Sequence, residues 1–382
     1  MTPLKFNGSG SEYFKIWIVN ILLTIITLGL YRPWAKVRTL RYFYGNTELD
    51  NANFEYHATG KQLFVSFIIA IALLLLYVFI SRINAALGII LPIALLIALP
   101  WIIWRSMKFN LRMSSYRNVH FGFNGQLSGS YVVLLAYPIG MLLVVIGAVS
   151  LASSISFWLA AILTVMAYPA YLAMTTKVVN SYIVNGIHFG QGKVNSKLEF
   201  KPFLIIFLKA TGISLLLLLA AAIIFSGMAY MSINSSQINS LMQNISDLGQ
   251  GARPSSLIIY SLVVFYVTLL LISMYALAYT KAHQRTYLLN ETILDNSITF
   301  ESTLTTNKYF GVMFTNLLLL ICTLGLAYPW TAIRLYRYSI ESVSVQAEQG
   351  FDQFISTQSD NKGPLGEELG DAFNADIGGL VF

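Results

Sequence analysis

The sequence predicts an all-α, polytopic membrane protein of repeated transmembrane hairpins, because apolar residues come in long runs, charge is scarce, and basic residues gather in alternate loops. Of 382 residues, 56% are apolar or aromatic and 11% are charged. A soluble domain carries roughly 25% charged residues, so this chain has too few to cover a water-facing surface of its size.

The runs 64–80, 83–104, 131–152, 155–176, 203–226 and 257–279 approach or exceed the roughly 20 residues that cross a hydrocarbon core as helix. They are read as six full spans. Two terminal runs, 14–34 and 310–330, are borderline and either span or re-enter. The segment up to Tyr13 holds Lys5 and Glu12, and no small-residue cleavage site precedes Arg32 and Pro33, so the first run is expected to be retained rather than removed as a signal peptide. Cys322 is the single cysteine, which excludes an intrachain disulfide and a cysteine metal cluster, and it is expected to be a small core residue.

The formal charge of +7 matters less than its placement. Lys36, Arg38, Arg41 and Lys61 fall in one loop, Arg105, Lys108, Arg112 and Arg117 in the next, then Lys177, Lys193, Lys197 and Lys201, then Lys281, Arg285 and Lys308. The intervening connections hold only Arg82 and Arg253. Alternation of this kind across six spans puts the basic loops on one face, cytoplasmic by the positive-inside bias. In the long connection 228–256, Ile238, Leu241, Ile245 and Leu248 recur at helical spacing, as in an amphipathic helix on the outer leaflet.

The two ends of the chain align at an offset of 296, residues 13–42 on 309–338: Asn20 with Asn316, Thr27-Leu28-Gly29 with Thr323-Leu324-Gly325, Pro33-Trp34 with Pro329-Trp330, and Arg38, Arg41, Tyr42 with Arg334, Arg337, Tyr338. A related exit motif stands at 100–108, with Trp101, Arg105 and Lys108, and a degenerate copy at Pro169 and Lys177. Leu49-Asp50-Asn51 has a counterpart in Leu294-Asp295-Asn296, and Phe6-Asn7-Gly8 in Phe123-Asn124-Gly125. The unit is an extended cytoplasmic cap, a membrane hairpin, and an exit helix with a basic end. Trp34, Trp101 and Trp330, with Arg38, Arg41, Arg105, Lys108, Arg334 and Arg337, are candidate interfacial anchors, since Trp settles at the headgroup level and Arg reaches lipid phosphates.

These residues carry a resemblance. Tyr13-Phe14-Lys15-Ile16-Trp17, Thr27-Leu28-Gly29, Pro33-Trp34-Ala35-Lys36-Val37-Arg38, Arg41-Tyr42-Phe43, Asn46-Thr47 and Tyr56-His57-Ala58-Thr59-Gly60 resemble the YjgN-like family of bacterial inner-membrane proteins. The resemblance extends along the chain to Gly370-Asp371-Ala372-Phe373. It implies an inner-membrane location and transfers no catalytic or binding residue.

The repeat poses a problem of parity. If all the runs cross, the first and last run in opposite directions although their sequences align in the same one. A reversal at Thr27-Leu28-Gly29 and Thr323-Leu324-Gly325, where glycine tolerates the needed dihedral, would make both runs re-entrant. Against it stands the rule that irregular backbone at membrane depth must be buried in protein or line water.

No Asp or Glu lies in any apolar run, which argues against carboxylate-based ion coupling. Lys209, inside 203–226, either snorkels or forms an anionic-ligand or lipid site, and Asn20 and Asn316 are intramembrane polar residues suited to helix-to-helix hydrogen bonds. His57, His120, His188 and His283 lack metal-ligand spacing, Gly190-Gln191-Gly192-Lys193 lacks the Walker spacing, and no catalytic motif is present, so neither enzyme activity nor a cofactor or metal is expected. Residues 1–342 form the membrane domain, and 343–382 a polar acidic tail with Glu348, Asp352, Asp360, Glu367, Glu368, Asp371 and Asp376. The expected function is that of a permease or lipid- and amphiphile-handling protein. The alternative is a non-enzymatic scaffold or assembly factor for another membrane protein. The expected partners are membrane lipids, with a membrane protein or a second copy as further candidates, and no nucleic acid.

Overall fold

A computed structural model of the chain describes residues 1–83, 85–232, 256–348 and 350–360. The element order is β1 (Thr2–Pro3), β2 (Lys5–Phe6), α1 (Gly10–Ile26), α2 (Arg32–Gly45), β3 (Thr47–Leu49), β4 (Ala52–Tyr56), α3 (Gly60–Ile83), α4 (Ala85–Arg112), β5 (Ser114–Tyr116), β6 (Val119–Phe123), α5 (Leu127–Ile155, with a π-helical turn at Val132–Ala136), α6 (Phe157–Gly186), β7 (Ile187–Phe189), β8 (Gly192–Ser196), α7 (Phe200–Ser232), α8 (Ser256–Asn290), β9 (Thr292–Leu294), β10 (Ile298–Ser302), α9 (Thr306–Cys322), α10 (Tyr328–Glu341), β11 (Val343–Ala347) and α11 (Phe351–Asp360). Five helical hairpins thus alternate with four β-hairpins. The amphipathic segment expected around Ile238 to Leu248 and the run from Ala372 lie outside the described residues.

The strands correct the all-α expectation. They form one eleven-stranded antiparallel sheet in the order β1-β11-β10-β9-β8-β7-β6-β5-β4-β3-β2. Its tight turns have a local cause: Asp50 and Asn51 (φ 47 and 58) and Arg117 and Asn118 (φ 48 and 63) take the left-handed conformation of two-residue hairpin loops, which Asn and Asp tolerate well and whose twist matches the flanking strands. Gly190 (φ 57) serves the β7–β8 turn, so the glycines there shape a hairpin.

The sheet closes on itself. Thr2 and Pro3 pair with Val345 and Ser344 of β11, and a residue later Lys5 and Phe6 pair with Glu48 and Thr47 of β3, so one stretch joins both edges. A single apolar cluster gathers Leu49, Tyr116, Val119, Phe189, Val194, Leu294, Ile298, Val345 and Phe354. It draws on strands from all around the ring and therefore fills its middle. Residues 343–347, at the head of the compositionally polar segment, are β11 in this sheet, and Phe354 of α11 enters the same core.

Sheet pairing answers the parity question. The chain leaves at Phe6 and returns at Thr47, its direct partner, and it leaves at Ser302 and returns at Val343, again its partner. Each terminal run is a helical hairpin that doubles back to the sheet it left. The reversals fall where expected, with Leu28 at φ 51 and Gly29 at 93, Leu324 at φ 50 and Gly325 at 88. Thr27 and Thr323 close the turns, their hydroxyls accepting from Tyr31 N (3.0 Å) and Ala327 N (3.1 Å). Among the described residues six helices, of 23 to 30 residues over their apolar spans, are long and apolar enough to cross a membrane. Cys322 is exposed at the end of α9, beside this turn, which corrects its placement in the core.

The helices α1 to α10 stand in sequence around the ring, each packing on its neighbours, with α10 on α1 completing the circle. No other pair of these helices packs closely among the described residues.

Candidate functional site

Side chains that join one hairpin to the next define the base of the helix ring. Trp34 lies against Gly60 at the start of α3, and Trp330 against Gly10 at the start of α1; in both places the indole leaves no room for a Cβ. Arg41 donates to Ala58 O (2.9 Å) and Arg337 to Gly8 O (2.7 Å), and Trp104 Nε1 donates to Gly125 O (2.6 Å). The seam between the last hairpin and the first is thus built as the junction between the first and second. Four of the anchor candidates, Trp34, Arg41, Trp330 and Arg337, are joints between hairpins.

The others are placed differently. Arg105 lies over the Trp101 ring at 5.6 Å and Lys108 over Trp104 at 4.7 Å, cation–π contacts on α4. Arg334 donates to Asn316 Oδ1 (3.2 Å) and Thr315 Oγ1 (3.2 Å), whereas Arg38 is exposed. Asn316 and Asn20 are buried and bridge the arms of their own hairpins, Nδ2 donating to Thr331 O (3.0 Å) and to Ala35 O (3.4 Å). Asn20 Oδ1 is buried without a partner.

A second recurring joint is only half visible in the sequence repeats, which match Tyr42 with Tyr338. Tyr42, Tyr182, Tyr287 and Tyr338 each precede a strand by the same interval, and each hydroxyl fastens the exit helix to the start of its own hairpin: Tyr42 to Ser9 O (2.9 Å), Tyr182 to Gln126 O (2.7 Å), and Glu199 N and Thr305 N onto Tyr287 (2.9 Å) and Tyr338 (3.2 Å). The second hairpin has Phe109 at that place. Counting back from each strand is the signal that finds it. The same count puts Ala173, not Pro169, level with Pro33, Pro100 and Pro329.

Above this base α3 and α8 offer apolar surface on every face. Residues 73–79 of α3 are all exposed, as are 262–267 of α8, and six consecutive positions cover more than a full helical turn. Lys209 is exposed on α7, beside a buried row of Phe203, Ile206 and Ala210. Among the described residues, the close packing of α4 on the third hairpin is near its base, around Leu127–Tyr131 and Val132–Ala136.

At the opposite end, the hairpin tips meet α11. Arg117 donates to Asp50 O (2.6 Å) and Asp50 Oδ2 (2.9 Å), and to Asp352 Oδ1 (2.6 Å), while Phe354 stacks on Phe189 at 6.2 Å. Burial works against the Arg117 charge, yet Tyr116 and the two aspartates outweigh it and raise its pKa. Burial pushes the Tyr116 hydroxyl up to about 12, and it donates to Leu49 O (2.7 Å). The rings of His57 and His120 meet at 5.2 Å, tilted by 53°, with His57 Nε2 3.4 Å from Glu55. The His-Phe-Gly tripeptides meet in space: Gly122 of the first makes room for the ring of His188 in the second, and burial lowers the His188 pKa.

Comparisons with known proteins bear on where the chain resides. An inner membrane protein YjgN from Salmonella typhimurium (strain LT2) is 29% identical over 367 residues, spanning 90% of this chain and 88% of the relative. An inner membrane protein YjgN from Escherichia coli (strain K12) is 28% identical over 344 residues, 85% of this chain and 83% of the relative. No solved structure matches. Relatives of that name, with six apolar helices of membrane length, make this a multi-pass protein of the bacterial inner membrane. The profile described as bacterial protein of unknown function (DUF898) matches residues 1–372, and the chain belongs to that family.

Proposed function

We propose that this inner-membrane protein handles lipids or other amphiphiles in the apolar interior of its helix ring, without carboxylate-based ion coupling and without an enzymatic step. The observation that carries the reading is the all-round apolar exposure of α3 and α8 at 73–79 and 262–267. A helix lining a water-filled pathway needs a polar stripe toward it, whereas a helix with acyl chains on both sides needs none. The basic sheet end is read as cytoplasmic from the charge bias, and the five hairpins as copies of one unit, a reading supported by the matching joints at Gly10 and Gly60. Lys209 is assigned to lipid phosphate from the interfacial side of α7.

The test is lipid analysis of the full chain in nanodiscs. Reproducible enrichment of particular lipids over the bulk, together with accelerated movement of labelled lipid between leaflets of reconstituted vesicles, is expected. Bulk composition and unchanged lipid movement would sink the idea. A scaffold role for another membrane protein is the second reading, favoured by the α3–α4 hairpin: none of residues 61–82 is buried, and the close packing of α4 on the third hairpin is at its base. Sidedness is tested in a Cys322→Ser background, where a cysteine at Asn118 should resist an impermeant thiol reagent in spheroplasts and one at Ser156 should react.

A further inference from the structure

The terminal hairpins stand side by side in the ring, α10 on α1, and both are short. Their height follows from the joints at the base. Trp34 is level with Gly60, where α3 begins, and its ring meets Phe64 at 5.1 Å. From Trp34 to the reversal at Leu28 the chain rises about 9 Å, whereas α3 continues from Gly60 for about 35 Å. Asn316 is likewise level with Thr331, and from there α9 climbs about 12 Å to Leu324. Counted between helix starts and ends, α1 and α9 have 17 residues each against 24 in α3, so both reversals stop roughly 10 Å short of the top of α3. Their tips are apolar and bare: Leu28 and Leu324 are each 94% exposed, and Ile25, Ile26, Leu30, Ile321 and Leu326 are exposed beside them. The polar groups of the reversal backbone need partners in such a setting, and Gly29 N donates to Thr24 O (2.7 Å), Gly325 N to Leu320 O (2.8 Å), and the Thr27 and Thr323 hydroxyls accept from Tyr31 N and Ala327 N.

We infer that the wall of the helix ring is open above the two terminal hairpins, and that acyl chains of the far leaflet enter the interior there, over Leu28 and Leu324. The occupant follows from the setting. The rim consists of hydrocarbon side chains, and the helices on either side, α3 and α8, carry exposed apolar residues for consecutive turns farther from the sheet. The opening gives the proposed lipid handling its route, and it rests on that reading for its purpose though not for its existence.

The native Cys322 is a ready probe, since it is the sole cysteine and is exposed beside the second tip. The full chain, spin-labelled at Cys322, and a C322S/L28C variant labelled at the first tip, are compared in nanodiscs of phosphatidylethanolamine and phosphatidylglycerol. Collision with oxygen should be high and with a water-soluble nickel complex low at both sites, at matching depth. A spin pair placed by F79C and V264C in the C322S background should be more than about 20 Å apart, because four helices each 8–10 Å across stand between α3 and α8 below. High nickel access would mean a water-filled vestibule, low access to both reagents would mean a protein cover, and a pair distance under about 15 Å would mean a closed wall; each overturns the inference. If the tips lie in lipid and the pair is far apart while lipid enrichment and movement are absent, the opening stands and the lipid-handling reading fails. If enrichment and movement are found with occluded tips, lipid handling stands and the opening fails.

Discussion

The first and last helical hairpins share their reversal, their asparagine bridge and their tryptophan joint, yet they use one arginine differently. Arg334 lies across Asn316 and Thr315; Arg38, at the matching place, is exposed and leaves Asn20 Oδ1 without a donor. The cause is a single neighbouring residue. At the offset of 296, Thr315 is matched by Val19, which cannot accept a hydrogen bond. With one acceptor in place of two, the guanidinium gains too little to leave its hydration. Shared geometry at a joint therefore need not imply equal strength.

Ways to break or sharpen this comparison differ in size. The largest effect is expected from Gly10→Ala and Gly60→Ala, where the new methyl collides with an indole; each should lower stability by about 1–3 kcal/mol in a thermal unfolding series. Gly45→Ala, with open space around it, is the control. Equal losses at Gly10 and Gly60 are expected, and a mild G10A beside a severe G60A would show that the seam is the weaker junction. Next in size is Asn316→Ala, about 2 kcal/mol because it removes an acceptor from a charged donor, against about 1 kcal/mol for Asn20→Ala. Reversed order would refute the role given to Arg334.

Val19→Thr restores the missing acceptor, and a gain of about 0.5 kcal/mol is expected, with Asn20→Ala becoming more costly in that background. Additive effects of the two changes would show that Arg38 does not respond. The smallest effect concerns pH. Burial holds the His188 pKa below its ordinary 6.5, so the folded state binds fewer protons than the unfolded one as pH falls through that value, and stability is lost on the acid side. The melting temperature should drop between pH 7.5 and 5.5, and His188→Gln should shrink that drop; an unchanged drop assigns it to other groups.

Much of the membrane part is legible in the sequence because each span announces itself locally. The reversals at Thr27-Leu28-Gly29 and Thr323-Leu324-Gly325 are legible too, though length alone does not separate them from crossings. The sheet is not. Its strands have two to five residues, too few for an alternation to show, and each pairs beyond its own hairpin with a partner on the far side of two helices. The turn residues Asp50-Asn51 and Asp295-Asn296 stand out as matched tripeptides, while their meaning as hairpin turns depends on strands that the sequence does not announce. Cys322 is misplaced by its sequence context because an apolar run next to a membrane reversal reads like one in a core. The arginine joints look like lipid anchors because their acceptors, the carbonyls of Gly8 and Ala58, belong to other hairpins.

The stretch from Thr2 to Phe6 has one partner in β3 and another in β11. The first is available once the ribosome has made some fifty residues, the second only after more than three hundred. Until then one edge of the growing sheet has nothing to pair with, and each new hairpin must add to a row whose two ends are kept apart by unfinished chain. The seam is consequently the last joint to form, and the arrival of Val343 to Val345 is a checkpoint on completeness: a chain stalled before it can insert all six spans and still lack a closed ring.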